Sequence, residues 1–221
     1  MSDIATGLFG LHGLSTCKMI CIIALLLLPV TFCKSPADFQ WAVVTAMVTT
    51  TLSVVLIFVG TASDHEVCGA VAEIPGFDMG SFVLSLGTFM FSFGGHGVFP
   101  TIQHDMKDPQ RFTAASVLAF SIVLLLYIPI TVLGYVTYGN SLQDSIINSI
   151  QSTWIQQAAN FFIAIHCILT LTIVINPLNQ EVEHKFKLPH GFGIQRVAYR
   201  SGMMAFIVFS TLSFPKFGPI L

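Results

Sequence analysis

The chain has 221 residues, 54% of them hydrophobic and 9% charged, with a mean hydropathy of +0.80 and a formal net charge of −2. An average soluble domain carries roughly 25% charged residues, and 9 basic plus 11 acidic side chains cannot give a molecule of this size a water-facing surface. The composition therefore argues against a soluble protein, and the lack of a basic tract argues against a nucleic-acid partner.

About 20 apolar residues are needed to cross ~30 Å of hydrocarbon as a helix. Windows of that length predict an all-α integral membrane protein with spans near 17–33, 39–60, 80–101, 113–138, 156–178 and 199–214. The first is short and the last shorter, so both rely on tilt or packing. The stretch "IATGLFGLHGL" at 4–14 is too brief to cross alone and reads as an interfacial segment or the stump of a preceding helix. A secretory signal is disfavoured because Lys18 abuts the apolar run and no small-x-small site follows. No internal repeat or low-complexity linker divides the chain, so 1–221 reads as a single domain.

The basic residues set an orientation. With 17–33 running inward, the cytoplasmic connections 34–38, 102–112 and 179–200 hold Lys34, Lys107, Arg111, Lys185, Lys187, Arg196 and Arg200, leaving only Lys18 and Lys216 outside them. That is a positive-inside bias. The segment 61–79, with Asp64, Glu66, Glu73 and Asp78 and no Lys or Arg, reads as an outward loop. The five cysteines form no framework: Cys17 and Cys21 are a helical turn apart, Cys33 and Cys167 lie at or within spans, and Cys68 is in the outward segment. A Cys17–Cys68 disulfide is open on grounds of compartment. There is no Asn-x-Ser/Thr sequon.

Within span 80–101 the stretch "FSFGGHGVFP" places Gly94, Gly95, His96, Gly97 and Pro100 where a helix should be most regular. Each glycine costs about 1 kcal/mol against alanine, and Pro100 removes a donor and clashes with the His96 carbonyl. A break is expected. Backbone groups freed in hydrocarbon must face protein or a wet cavity. Helix ends beside a cavity suit a zwitterion, with N-termini favouring carboxylate and C-termini ammonium. The competing reading is a kinked helix packed closely through its glycines. His96, ionisable at membrane depth, is a functional candidate by position and a possible proton carrier by chemistry.

The run "FSFGGHGVFPTIQHDMKDPQRF", 91–112, resembles the sixth transmembrane helix and following loop of the amino acid/auxin permease family. The resemblance rests on Phe93, Gly94, Gly95, Gly97, Pro100, Gln103, Met106 to Pro109 and Phe112, and its wording is closest to the vesicular-GABA-transporter-like and lysine-histidine-transporter-like branches. In order along the chain, "LLPVTFCKSPADFQWAVV", "GYVTYGNSLQDSIINSI", "INPLNQEVE" and "SFPKFGPIL" resemble the fourth-to-fifth, seventh, eighth and post-ninth segments of that family. The resemblance implies a partial inverted-repeat, leucine-transporter-like bundle beginning near the fourth helix and ending after the ninth, hence a fragment. In such a fold two broken helices cradle the substrate.

What it implies about function is secondary transport of an amino acid or related small amine, coupled to protons or to sodium, across a plasma, lysosomal or vesicular membrane. Ser92, Phe93, Gly94, Gly95 and His96 are the expected substrate-site residues, with Phe91 assigned to packing. A different class also stays open: a truncated, non-transporting scaffold or regulatory isoform that assembles with a full-length relative. On span 156–178, His166 and Thr170 lie one turn apart and share a face with Phe162 and Ile173. The resemblance places them near the coupling-ion region, beside the plainer reading of a satisfied interhelix histidine and a threonine bonded to its own backbone. Asn176-Pro177 is expected to end that helix.

Metal and catalytic chemistry are disfavoured by spacing. His96 and His104 are eight apart with Pro100 between them, unlike ligands a turn apart on one face. No nucleophile elbow or phosphate loop occurs. The expectation is no enzyme, no cofactor and no metal. Asp105, Lys107, Asp108 and Arg111 read as an inward loop that caps helices, gates access or is simply solvated.

Overall fold

The computed structural model describes residues 16–32, 40–186 and 193–213. Among these the regular elements are all helical: α1 Thr16–Thr31, α2 Gln40–Cys68, α3 Met79–Ser92, α4 Phe99–Asp105, α5 Phe112–Tyr138, α6 Ile146–Ser149, α7 Thr153–Lys185 and α8 Ile194–Ser213. Short 3-10 turns stand at Gly69–Val71, His96–Val98, Pro109–Arg111 and Gly139–Ser141. Three stretches, Trp41–Val71, Pro109–Ser141 and Thr153–Lys185, are long and apolar enough to cross a bilayer, with mean hydropathies of 2.3, 2.5 and 2.2. On α5 the side chains of Val117, Leu118, Leu125 and Val132 are exposed, as suits a helix set in an apolar solvent. The molecule is an all-α, multi-pass membrane protein.

The chain divides into two compact units. One comprises the described parts of Met1–Thr49 and Ala164–Phe217, in which α1 packs on α8. Its interior includes a polar cluster: Thr31, Asn176, Asn179, Glu183, Arg196 and Arg200 are all buried. The other comprises Thr50–Ile163 and has a small apolar core of Ile57, Ile147, Ile150, Ile155 and Ala159. Ser53 closes that core with a hydroxyl donated to the Ala159 carbonyl at 3.3 Å.

Three helices run past the limits of their apolar windows. α2 continues from 60 to Cys68, so Asp64 and Glu66 are helical rather than part of an outward loop. The loop begins only after the Gly69–Val71 turn. α7 does not stop at Asn176-Pro177 but continues to Lys185, and α8 starts at Ile194 rather than 199. The physical reason is the same in each case. A hydropathy window ends at the first polar group, whereas Asp64, Asn176, Asn179, Glu183, Arg196 and Arg200 are polar groups that the fold buries.

Cys17, Cys21, Cys68 and Cys167 are free thiols, so the Cys17–Cys68 pairing is not made. The 4–14 stretch, Cys33, Lys34, Lys187 and Lys216 lie outside the described residues.

Candidate functional site

α3 begins with a side-chain cap: the Ser81 N–H donates to Asp78 Oδ2 at 2.7 Å. That bond, together with one from the Ser81 side chain, holds the Asp78 carboxyl below the usual aspartate range. The helix runs to Ser92 and then breaks. Phe93 donates its N–H back to Phe89 O at 3.4 Å and Gly94 donates to Phe91 O at 2.9 Å. Gly95 then takes φ 118°, a conformation that residues with a Cβ rarely adopt. Gly94 is needed for a second reason, because a Cβ there would sit 2.9 Å from the Phe91 carbonyl oxygen.

After one 3-10 turn, His96–Val98, the chain is helical again from Phe99. Pro100 therefore sits in the first turn of α4, where its missing N–H costs nothing. The glycines make the break and the proline restarts the helix.

Phe93 forms an aromatic wall with its own helix and α5. Its ring centroid lies 4.8 Å from Phe89, 6.1 Å from Phe120 and 6.2 Å from Tyr127. Phe99 continues the wall at 6.1 Å from Phe120 and 5.5 Å from Phe112. Two grooves follow. One of about 480 Å³ is lined by Ser92, Thr88, Phe89 and Tyr127, and one of about 440 Å³ by Phe93, Phe99 and Phe120. Ser92 spends its hydroxyl proton on Thr88 O at 2.9 Å, which leaves the oxygen lone pairs as its offer. Gly94, Gly95, His96 and Gly97 are exposed. At the far end of α4, Asp108 accepts from the Gln110 N–H at 3.3 Å and pairs with Arg111 at 3.0 Å. That pair is exposed and worth little.

The second candidate pair belongs to the other unit. His166 Nδ1 lies 3.2 Å from the Ala46 carbonyl oxygen, and Nε2 lies 3.3 Å from Thr170 Oγ1. A carbonyl only accepts, so Nδ1 carries a hydrogen, and the imidazole bridges α2 and α7.

The same unit holds a charged cluster that the sequence reading dispersed among loop charges. Arg200 donates from Nε to Glu183 Oε1 at 2.5 Å and from Nη2 to Oε2 at 3.1 Å. Its Nη1 donates to the Thr31 carbonyl near the end of α1 and lies 3.4 Å from Asn176 Oδ1. Arg196 Nε adds a bond to Glu183 Oε1 at 3.1 Å. A cation on a helix C-terminus is favoured by the helix dipole. A signal was present in the sequence: Thr172, Asn176, Asn179 and Glu183 recur at four, three and four residues along α7, a polar stripe on one face of the helix. Among the described residues, no group of three or more His, Cys, Asp or Glu side chains could hold a metal ion.

Comparison with known proteins follows the same line. The chain is 31% identical over 153 residues to amino acid transporter AVT1D of Arabidopsis thaliana, a match covering 65% of this chain and 28% of that protein. It is 25% identical over 170 residues to AVT1B of the same plant, covering 75% of this chain and 31% of that one. Against vacuolar amino acid transporter 4 of Saccharomyces cerevisiae it is 28% identical over 138 residues, 61% of this chain and 19% of the yeast protein. These matches span less than a third of each relative's length. No solved structure matches significantly. The sequence profile described as transmembrane amino acid transporter protein matches residues 1–221, and the chain belongs to that family.

Proposed function

We propose that these helices are part of a proton-coupled secondary transporter of amino acids or related small amines, with the substrate seated at the break between α3 and α4. The observation that carries the reading is the glycine break itself, with Gly95 at φ 118° directly after the Phe93 aromatic wall. A helix interrupted inside an apolar span exposes backbone polar groups, and the carbonyl end of α3 favours an ammonium group. Phe93 supplies a flat apolar surface for a side chain, and Ser92 Oγ supplies an acceptor. His96 stands at the break and is the candidate for exchanging a proton there, while His166 with Thr170 is the candidate in the other unit. Support for the substrate class comes from the names of the relatives, all amino acid transporters.

The test is uptake of a radiolabelled amino-acid mixture into liposomes containing the purified chain, with and without an inward proton gradient. Gradient-driven accumulation supports the reading. Its absence, with a full-length relative active in the same assay, overturns independent transport by this chain. If His96→Gln leaves the pH dependence of uptake unchanged, His96 does not carry the proton.

A further inference from the structure

Asp64 is buried near the end of α2, 8% exposed, and among the described residues no ion pair to it is formed. Its Oδ2 accepts the Tyr138 hydroxyl at 2.7 Å and the Gln151 backbone N–H at 2.9 Å. Among residues 50–163 the Lys and Arg side chains are Lys107 and Arg111. Both precede α5, whose 27 residues rise about 40 Å before reaching Tyr138. The titratable neighbours on α2 are His65, which is exposed with Nδ1 3.1 Å from Thr137 Oγ1, and Glu66 and Cys68. Tyr138 comes from α5, Glu73 from the 72–78 segment and Asp144 from the segment after α5. The carboxylate is thus solvated by a phenol and one amide, in a neighbourhood whose other formal charges are negative or titratable.

A second observation points to the same place. Thr61, one turn before Asp64, is 1% exposed, and its hydroxyl has no hydrogen-bond partner. Buried hydroxyls are almost always bonded, and this one lies beside the Tyr138 phenol. The phenol oxygen gives its proton to Asp64 and keeps lone pairs that Thr61 can meet. Tyr138 and Asp64 are thus hydrogen-bonded, and Thr61 adds a second buried hydroxyl beside them.

We propose that Asp64 is a proton-binding site of this transporter, an inference that rests on the proton-coupled reading above and names a residue for it. Both donors converge on Oδ2, so the proton taken from water adds to Oδ1. The carboxylate becomes a neutral acid, Oδ2 becomes its carbonyl oxygen, and both existing hydrogen bonds remain. No ion pair is broken on loading or formed on release, which is what a group that must cycle needs.

The site is also mechanically placed. Tyr138 ends α5, Gln151 stands just before α7, and Asn140 donates its N–H to Glu73 O at 2.9 Å in the adjoining turn. Gly139 holds that turn at φ 49°, where a Cβ would collide with the Glu73 carbonyl. Charge on Asp64 strengthens the bonds that fasten these segments to α2, and its loss relaxes them.

The experiment is pH-difference infrared spectroscopy of the full chain in liposomes. As pH is lowered, a protonated-carboxyl C=O band is expected in the wild type, lost in Asp64→Asn, and moved to higher frequency in Tyr138→Phe, which removes one hydrogen bond to that carbonyl. A difference spectrum unchanged by Asp64→Asn overturns the proposal. If circular dichroism shows that Asp64→Asn does not fold, Tyr138→Phe decides, and an unshifted spectrum overturns it. None of these readouts needs transport. A band assigned to Asp64 in liposomes that show no proton-driven uptake sinks the coupling reading and leaves the proton site standing.

Discussion

Arg200 lies edge-on against Glu183, with Nε on one carboxylate oxygen at 2.5 Å and Nη2 on the other at 3.1 Å. Both side chains are almost wholly enclosed, at 0% and 3% exposure. Removing one partner of a buried pair strands the other charge and costs about 3–5 kcal/mol. Glu183→Gln removes the carboxylate charge that both arginines bond, so it is expected to lower the thermal unfolding midpoint in detergent sharply. Arg200→Met should do the same, and the double variant should lose much less than the two single losses added. Additive losses would show that the two residues do not act on each other.

Gly95 and Gly97 separate conformation from space. A Cβ at either position meets nothing within 4 Å, but only Gly95 has positive φ. Gly95→Ala is expected to cost about 1–3 kcal/mol, and Gly97→Ala to be neutral within about 0.5 kcal/mol. Parallel thermal melts compare them. Gly95→Leu is therefore a poor probe of substrate access, because backbone strain precedes any filling of space. Gly97→Leu is the cleaner one, with loss of uptake at unchanged melting as the expected result.

His166 and Thr170 make a bridge whose worth can be measured without transport. Thr170→Val keeps the shape and removes the hydroxyl that lies 3.3 Å from Nε2. It is expected to cost about 0.5–1.5 kcal/mol. In nitrogen-15 spectra the wild-type imidazole should report the tautomer with hydrogen on Nδ1, set by the Ala46 carbonyl. The opposite tautomer would overturn the assignment.

Asp78 gives a pH signature at the start of α3. Its carboxyl is held below the ordinary range by the Ser81 N–H, so the ionised form is favoured in the folded state. That contribution is fully present above the ordinary aspartate pKa and is lost as pH falls through the lowered one. Asp78→Asn keeps an N-cap without a titrating group. The wild type should lose thermal stability relative to Asp78→Asn across that acid window, and parallel curves would exclude the cap as the source.

The break was legible because three glycines in four positions leave a helix few ways to continue. The agent of the restart was not. Pro100 reads locally as a breaker, and only the chain direction after Gly95 shows that it stands in a first turn, where proline is welcome. Most of the buried polar groups escaped for a different reason. Glu183 meets Arg196 and Arg200 across 13 and 17 residues, and Asp64 meets Tyr138 and Gln151 across 74 and 87. Hydropathy averages over neighbours in sequence and scores such groups as loop charges. The polar stripe on α7 was the one periodic trace they left.

The sign of a single torsion at Gly95 has a reading in genetics. Every other encoded amino acid carries a Cβ, so each missense change at codon 95 confronts the same φ of 118°, whatever the size or charge of the new side chain. Codons 97, 193 and 202 encode glycines around which a Cβ would find open space. Population variation is therefore expected to be graded at those three codons and close to all-or-none at codon 95, where even alanine counts as a severe allele.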